Sequence, residues 1–457
     1  MNIVIIGAGK IGATLADQLA LEGHDISVVD TSADALEKID TLDLMTVEGD
    51  GLTKQIQEQA NVPNADLVIA TMRADEQNLM ACMIATKLGA RNTVARVRNP
   101  KYADSVRLIR DGIHLGMVLN PERSSADEIA RILRTPSAIK VDTFAKGRVE
   151  IQKVRIPIGS KLDGLKLSDL GHIQPGVLIC IVERGNKEVH IPNGNFVLRG
   201  GDQISLIAKP KVAAKFFHKI DMPTTPIRRV MLLGGGRISY YLAKQLLEYG
   251  ATDVKIIERD KETCDLLSEQ LPRVSVIEGD ATKEKQLRDE GIEKMDAVIS
   301  LTGIDEENIM MSLFARSTSK AKIITKINRT TFAHVVKSLD IGSVFHPRYI
   351  AADIIVRYVR ALQNSFGSNV ETLYKIIGNQ AEALEFRATA KSSVCGRTLQ
   401  DLPLRPNLLI GAINRNGVIL TPGGQDTIEP GDTVVVVTGN TGLNDLDDIL
   451  DRRRARV

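Results

Sequence analysis

Gly7, Gly9 and Gly12 form a G-x-G-x-x-G loop straight after the apolar run Val4-Ile-Ile, and an acid, Asp30, stands 18 residues beyond at the end of the next such run. That context is the fingerprint of a dinucleotide site. Gly7 permits a tight turn, Gly9 lets backbone approach a pyrophosphate, and Gly12 lets the helix pack on its strand, while the helix start offers free N–H groups to phosphate. Ala8 and Ile11 complete the loop. Lys10 puts a cation inside it, where it can reach phosphate oxygens or remain a solvated charge at a helix start. Asp30 would accept hydrogen bonds from ribose hydroxyls. It would repel a 2′-phosphate, and Thr31 and Ser32 supply no arginine to neutralise one, so the expected ligand is NAD or NADH, or an adenine nucleotide, over NADP.

A second loop, Gly234-Gly235-Gly236-Arg237-Ile238-Ser239, departs from the first at its third glycine, and its acid is Glu258, followed by Arg259. Serine keeps the turn but is expected to loosen helix–strand contact, so this site could take another nucleotide or serve structure alone. Arg237 matches Lys10. Asp50 and Asp280 follow strand ends at the sheet's carboxyl edge, where ligands bind in open α/β folds. They suit equally, and by slight preference, the capping of the helices that follow. A dehydrogenase would also need a general acid or base. The seven histidines (His24, His114, His172, His190, His218, His334 and His346) are scattered and none recurs in both halves. No catalytic residue and no metal ligand set is expected; an NAD-dependent oxidoreductase with an unrecognised catalytic site is the alternative.

The elements that must position these residues come from an internal repeat. Val47-Glu-Gly-Asp50 matches Ile277-Glu-Gly-Asp280, Asp66-Leu-Val-Ile-Ala matches Asp296-Ala-Val-Ile-Ser, and Asp75-Glu-Gln-Asn78 matches Asp305-Glu-Glu-Asn308. The match continues to Leu198-Arg-Gly-Gly-Asp202 and Ile428-Glu-Pro-Gly-Asp432. Strand patterns at about 2–6, 26–30, 44–47, 66–70 and 93–97 alternate with helical ones at about 11–22, 32–39, 53–60 and 76–88, the alternation of a parallel sheet with crossover helices. The fold class is therefore α/β, with two tandem Rossmann-like doubly wound domains, at 1–121 and 228–347. Linker helices at 122–136 and 348–365 open at prolines and carry apolar stripes that should pair the Rossmann domains. Each leads to a small α+β domain, at 141–220 and 370–453, where the texture changes to short strands and Pro/Gly/Asn turns.

At 457 residues the chain is too long for one core, and its 43% hydrophobic and 25% charged content is that of a protein folded throughout. A formal charge of +2 gives no general field for nucleic acid. Cys82, Cys180, Cys264 and Cys395 are far apart, which argues against a zinc site or a disulfide framework and fits a reducing compartment. The N-terminus reads as a strand, not a signal peptide, and no apolar run approaches the roughly 20 residues of a membrane span. The tail Arg452–Arg456 reads as a solvated end.

Taken together, the loop Gly7–Gly12, Asp30, the Glu-Gly-Asp repeats, the linker helices and both Gly-Asp segments make the chain resemble the tandem regulator-of-potassium-conductance (RCK) family along essentially its whole length. The resemblance implies a regulatory subunit, not an enzyme. It would bind NAD or NADH, with ATP and ADP as further ligands. It would assemble as a homo-oligomeric ring, a tetramer, on the cytoplasmic face of a Trk-type membrane potassium transporter, with no membrane insertion of its own. Carried over by position, Thr71, Met72, Arg73 and Ala74, with Arg98, would close over the ligand held by Gly7–Ile11 and Asp30.

Overall fold

The computed structural model describes residues 1–40, 43–102, 105–106, 108, 110, 115–144, 149–185, 188–329, 333–339, 341–364, 370–375, 381–439, 443 and 445–451. The Arg452–Arg456 tail, His114 and the last residue of the second expected linker lie outside them. The fold divides into two compact units, one of residues 1–129 with 229–356 and the other of 130–228 with 357–457.

The first unit holds both Rossmann halves. Strands β1 (Asn2–Ile6), β2 (Asp25–Asp30), β3 (Met45–Glu48), β4 (Leu67–Ala70), β5 (Thr93–Arg96) and β6 (Met117–Leu119) form a parallel sheet in the order β3-β2-β1-β4-β5-β6. The intervening helices Lys10–Leu21, Ala33–Glu37, Lys54–Gln59 and Asp75–Leu88 fall within a residue or two of the periodicity's placement. Sequence reading did not identify the sixth strand, which is only three residues long. The central strands are buried along their length because helices cover both faces, which is why they read as unbroken apolar runs. The order reverses between β1 and β4. The loops at their carboxyl ends diverge there and leave a crevice.

In the second half the corresponding strands lie at Arg229–Leu233, Asp253–Glu258, Ser275–Glu278, Ala297–Ser300, Lys322–Lys326 and Ser343–Phe345, again parallel and in the same order. Asp66 and Asp296 anchor the two sheets alike: each carboxylate accepts the backbone N–H at the start of its half's first strand, from Asn2 and Arg229, at 2.9 Å.

Each half ends in a linker helix opened by proline, Pro121–Arg134 and Pro347–Asn364, and the stripes of both are covered within the chain. Ile129 and Ile355 are completely buried. The start of the first linker meets the second half's helix Arg237–Glu248, where Asn120 donates to the Tyr241 hydroxyl at 3.0 Å and Gln245 donates to Asp127. Tyr241 in turn donates to the Arg98 carbonyl at 3.2 Å. The polar side of the first linker's start therefore joins the two Rossmann halves of one chain.

The second unit contains two small β-rich domains. Strands Lys140–Phe144, Val149–Arg155, Val177–Arg184, Glu188–His190 and Gln203–Ala208 form one antiparallel sheet, followed by the helix Pro210–Lys219. The second domain's sheet is built from Val370–Lys375, Glu382–Arg387, Leu408–Arg415, Val418–Leu420 and Thr433–Thr438. The repeated Gly-Asp segment is an anchor in both: Asp202 takes Arg184 through two nitrogens at 3.0 and 2.7 Å, and Asp432 takes Arg415 at 3.0 and 2.8 Å. The inner faces of the two sheets share a core that includes Ile181, Ile207, Ala383 and Val435. Gly411 permits this approach, since a Cβ there would lie 2.3 Å from the Ile207 side chain. Among the described residues no helix is long and apolar enough to cross a membrane.

Because Ile129 sits in a closed surface inside one chain, Ile129→Ala should cost about 2–5 kcal/mol. Val418→Ala, at a side chain 58% exposed, should stay within about 0.5 kcal/mol. The shift of the first thermal unfolding transition measures both.

Candidate functional site

The first glycine loop leaves β1 with Gly7 at φ +107°, where a Cβ would meet the Thr71–Met72 peptide at 3.0 Å. Gly12 is held tighter still: its Cβ would lie 1.8 Å from the Gly7 carbonyl oxygen. At Gly9 the situation reverses, with nothing within 4 Å of the Cβ position. Gly9 precedes the helix Lys10–Leu21, which has no side-chain cap and no acid in its first turn. Its first N–H groups are thus left for an oxygen from a ligand. Asp30 is fixed beside them, accepting from Ala8 N at 2.6 Å on one oxygen and Ser32 N at 2.9 Å on the other.

The second loop repeats this with two compensated exchanges. Glu258 accepts from Gly235 N at 2.6 Å, as Asp30 does from Ala8, and its other oxygen takes Arg259 N and Asp260 N at 2.8 and 2.9 Å. Glu258 is longer by one methylene, and the space comes from Gly235, whose Cβ would lie 2.9 Å from the Glu258 side chain. The other exchange concerns Ser239. Instead of loosening the contact, Ser239 is fully buried and its hydroxyl donates to the Gly234 carbonyl at 2.5 Å. In the first half that carbonyl's equivalent, Gly7 O, takes its bond from Thr71 at 3.0 Å, and the residue at the Thr71 position of the second half is Leu301. The hydroxyl has moved from strand end to helix.

A cleft of about 790 Å³ opens between the halves. It gathers Gly7, Gly9, Lys10, Ile11, Asp30, Asp50, Thr71, Met72, Arg73 and Arg98 from the first half with Gly236, Arg237 and Ile238 from the second. Ala8, Gly12 and Ala74 are not part of this lining. Ala74 precedes the helix Asp75–Leu88 without a side-chain cap bond. Gly234, Glu258 and Asp280 instead line a separate cavity of about 320 Å³, with Gly235 packed under Glu258. Neither Asp50 nor Asp280 caps a helix, against the slight preference for that role. Asp50 accepts from Leu52 N at 3.0 Å while Thr53 caps, and Asp280 accepts from Thr282 N and its hydroxyl at 3.0 and 2.6 Å.

Among the charged and polar cleft residues that the sequence reading did not single out are Arg96, Glu122, Lys326, Asn328 and Arg348. The repeat held a signal for two of them, because Arg96 and Lys326 are basic at the same register position, the end of the fifth strand in each half. The others come from the linker-helix starts and a loop, with no periodic mark. With these the lining carries seven cationic side chains (Lys10, Arg73, Arg96, Arg98, Arg237, Lys326 and Arg348) against Asp30, Asp50 and Glu122. Burial pulls the Arg96 guanidinium below its ordinary value, helped by Arg98, and burial likewise lowers Lys326.

The cations are aimed by backbone. Arg96 and Arg98 donate to the carbonyls of Met72 and Arg73, each at 2.6 Å, so the segment after β4 is tied to the end of β5. The repeated D-x-x-N motif braces it. Buried Asn78 bonds Met72 N and O at 2.6 and 3.1 Å and Arg96 O at 2.9 Å, and Asn308 does the same at Thr302 and Lys326. Asp75 accepts the N–H groups of Arg98 and Asn99, and Asp305 those of Asn328 and Arg329. Such a lining suits a polyanion with a ribose at the Asp30 end. Cys82 and Cys180, by contrast, are buried thiols pushed up to about 12 by desolvation, and no group of metal-ligating side chains occurs among the described residues.

The TrkA-N domain family model matches residues 3–116 and 230–347, and the TrkA-C domain model matches 151–221 and 383–451. A Trk system potassium uptake protein TrkA homolog of Archaeoglobus fulgidus is 33% identical over 436 residues, covering 95% of this chain and 97% of that protein. The Trk system potassium uptake protein TrkA of Halomonas elongata is 32% identical over 461 residues, covering 100% and 97%. Among solved structures, the GsuK channel bound to NAD is similar in fold, with a TM-score of 0.61 at 19% identity over 96% of this chain and 77% of that one.

The exchange of hydroxyls makes a prediction. Ser239→Gly leaves the Gly234 carbonyl without its donor and should cost about 1–3 kcal/mol. Adding Leu301→Thr supplies the donor from the strand end, as in the first half, and should recover most of the loss. Thermal unfolding of the two single variants and the double variant reads this directly; additive losses would refute the exchange.

Proposed function

The chain belongs to the TrkA family of potassium-uptake proteins, and we propose that it is the nucleotide-sensing regulatory subunit of a Trk-type membrane potassium transporter. It binds NAD or NADH in the cleft between its Rossmann halves, with ATP and ADP competing there. The supporting observation is the composition of that cleft: a glycine loop and ribose-binding acid from one half, faced by Arg237, Lys326 and Arg348 from the other. Gly7–Ile11 and the first turn of the following helix hold the pyrophosphate. Asp30 holds the adenosine ribose, and Arg73, Arg96 and Arg98 neutralise phosphate from the β4 and β5 ends.

The ligand is not consumed. The titratable groups of the lining are those that bind and orient a polyphosphate, and the nucleotide acts by favouring one angle between the halves. Pro121 with Glu122 and Pro347 with Arg348 stand at the cleft and begin the two linker helices, so that angle is passed along the chain. The subunit works as a homo-oligomeric ring, a tetramer, on the cytoplasmic side of the transporter. The NAD bound by a channel of similar fold lends support to the ligand.

Asp30→Ala should weaken NADH binding by about 1–3 kcal/mol, through loss of charge-assisted hydrogen bonds to the ribose, and Glu258→Ala should weaken it less. Calorimetric titration decides; equal losses would remove the first half's primacy. In liposomes holding the chain with its transporter, potassium flux should change with nucleotide identity while the nucleotide is recovered intact. Flux control that requires stoichiometric oxidation or hydrolysis would overturn the sensor.

A further inference from the structure

We propose that the helix Pro210–Lys219, which follows the last strand of the first small domain, is an electrostatic contact for a bilayer surface rich in anionic phospholipid. This contact is independent of the nucleotide reading. The segment Lys209-Pro-Lys-Val-Ala-Ala-Lys-Phe-Phe-His-Lys219 holds four lysines and no acid, in a chain whose 59 basic and 57 acidic residues nearly balance. The helix has two sharply different sides. Ala213, Phe216, Phe217 and Ile220 are buried in the core of the domain, while Lys211, Lys215, His218 and Lys219 are exposed. Lys211, Lys215 and Lys219 follow one another at intervals of one helical turn, so their ammoniums form a single stripe about 12 Å long.

Among the described residues no carboxylate pairs with Lys209, Lys211, Lys215 or Lys219. Asp221, just past the helix, is taken by Lys161 at 3.1 Å. Lys161 and Lys219 donate to the carbonyls of Lys219 and Ile173, each at 2.8 Å, which fixes the ammoniums without cancelling their charge. Packing does not require the lysines. After its own last strand, Thr433–Thr438, the second small domain places Leu443, Leu446 and Ile449 in its core and carries Asp445, Asp447, Asp448 and Asp451 with no lysine. Like charges four residues apart destabilise a helix, and an anionic surface removes that cost.

The type of residue selects the partner. Lysine ammoniums are compact, strongly hydrated point charges suited to a diffuse layer of phosphates. Paired recognition of a protein carboxylate or a guanine edge uses the planar fork of arginine, which the segment lacks. Phe216 and Phe217 are buried and offer no ring for stacking on a base. Because the apolar side is already packed, the helix can rest on headgroups but cannot insert.

Flotation of the full chain with lipid vesicles, in the absence of transporter and nucleotide, tests this. The chain should float with vesicles of anionic phosphatidylglycerol in phosphatidylcholine, stay behind with phosphatidylcholine alone, and be released as salt rises. The triple variant K211Q/K215Q/K219Q should bind about tenfold more weakly or worse, since each lysine near an anionic surface contributes about fivefold. The charge-conserving K211R/K215R/K219R should keep the binding, which separates loss of charge from loss of fold. K38Q/K87Q/K101Q, at three exposed lysines of the first Rossmann half, should also keep it. No flotation with the anionic vesicles, equal flotation with both kinds, or equal losses in the two glutamine variants overturns the proposal. A loss in the arginine variant overturns it too. Tighter binding to polyglutamate or to duplex DNA than to the anionic vesicles would assign the stripe to a protein or a nucleic acid and remove the lipid.

Discussion

Like charges brought together in a partly buried cleft repel, and the structure of the first unit is organised around holding seven cationic side chains where only three carboxylates face them. The lowered values of Arg96 and Lys326 register the cost, since burial and neighbouring cations both favour the uncharged forms. Asp75 and Asp305 turn their carboxylates mainly to backbone N–H groups, and Arg98 lies 3.7 Å from Asp75 and 3.9 Å from Glu122, beyond hydrogen-bond length. The guanidiniums are fixed through the carbonyls of Met72 and Arg73, which orient them.

The repeat shows which positions that demand constrains. Residues that hold the backbone in place are the same in both halves: Asp66 and Asp296 at the strand starts, Asn78 and Asn308 under the loop after the fourth strand, Asp75 and Asp305 at the end of the fifth. Residues of the glycine loops, with their acids and the ends of the fourth strands, differ, and they differ in coupled pairs. Ala8 with Asp30 becomes Gly235 with Glu258, and Gly12 with Thr71 becomes Ser239 with Leu301. In each pair the atoms added at one position are given room, or their bonding role, by the other, so both loops keep a carboxylate under the turn and a hydroxyl on the first glycine's carbonyl.

These pairs also explain how far the sequence was legible. In the first half, five of the six strands and the helices between them followed from periodicity to within a residue or two, because buried parallel strands and amphipathic helices write their environment into consecutive residues. Gly7, Gly9, Gly12 and Asp30 were legible for a similar reason, since their roles are local. Ser239 was misread as a weakness because its compensation, the loss of Thr71's hydroxyl at Leu301, lies 62 positions away in the chain. Glu122 and Arg348 were seen only as members of linker helices. That they reach the cleft depends on how the halves pack against each other, through contacts such as Tyr241 with Asn120, which no window of sequence contains.

That packing also determines whether a ligand in the cleft has any leverage. A nucleotide can shift an equilibrium between arrangements only by binding them unequally. With phosphate held by one half and Arg237, Lys326 and Arg348 carried by the other, a change in the angle between halves alters cation–phosphate distances directly. Opening a single such pair from 4 to 5 Å changes its energy by about 0.8 kcal/mol at an effective dielectric of about 20. Two pairs therefore suffice for a population change of about tenfold, which needs about 1.4 kcal/mol. A ligand bound entirely within one half, touching only residues that move with it, would gain nothing from either arrangement, however tightly it bound. A cleft built from both halves is what the proposed sensor requires to convert nucleotide identity into linker-helix position.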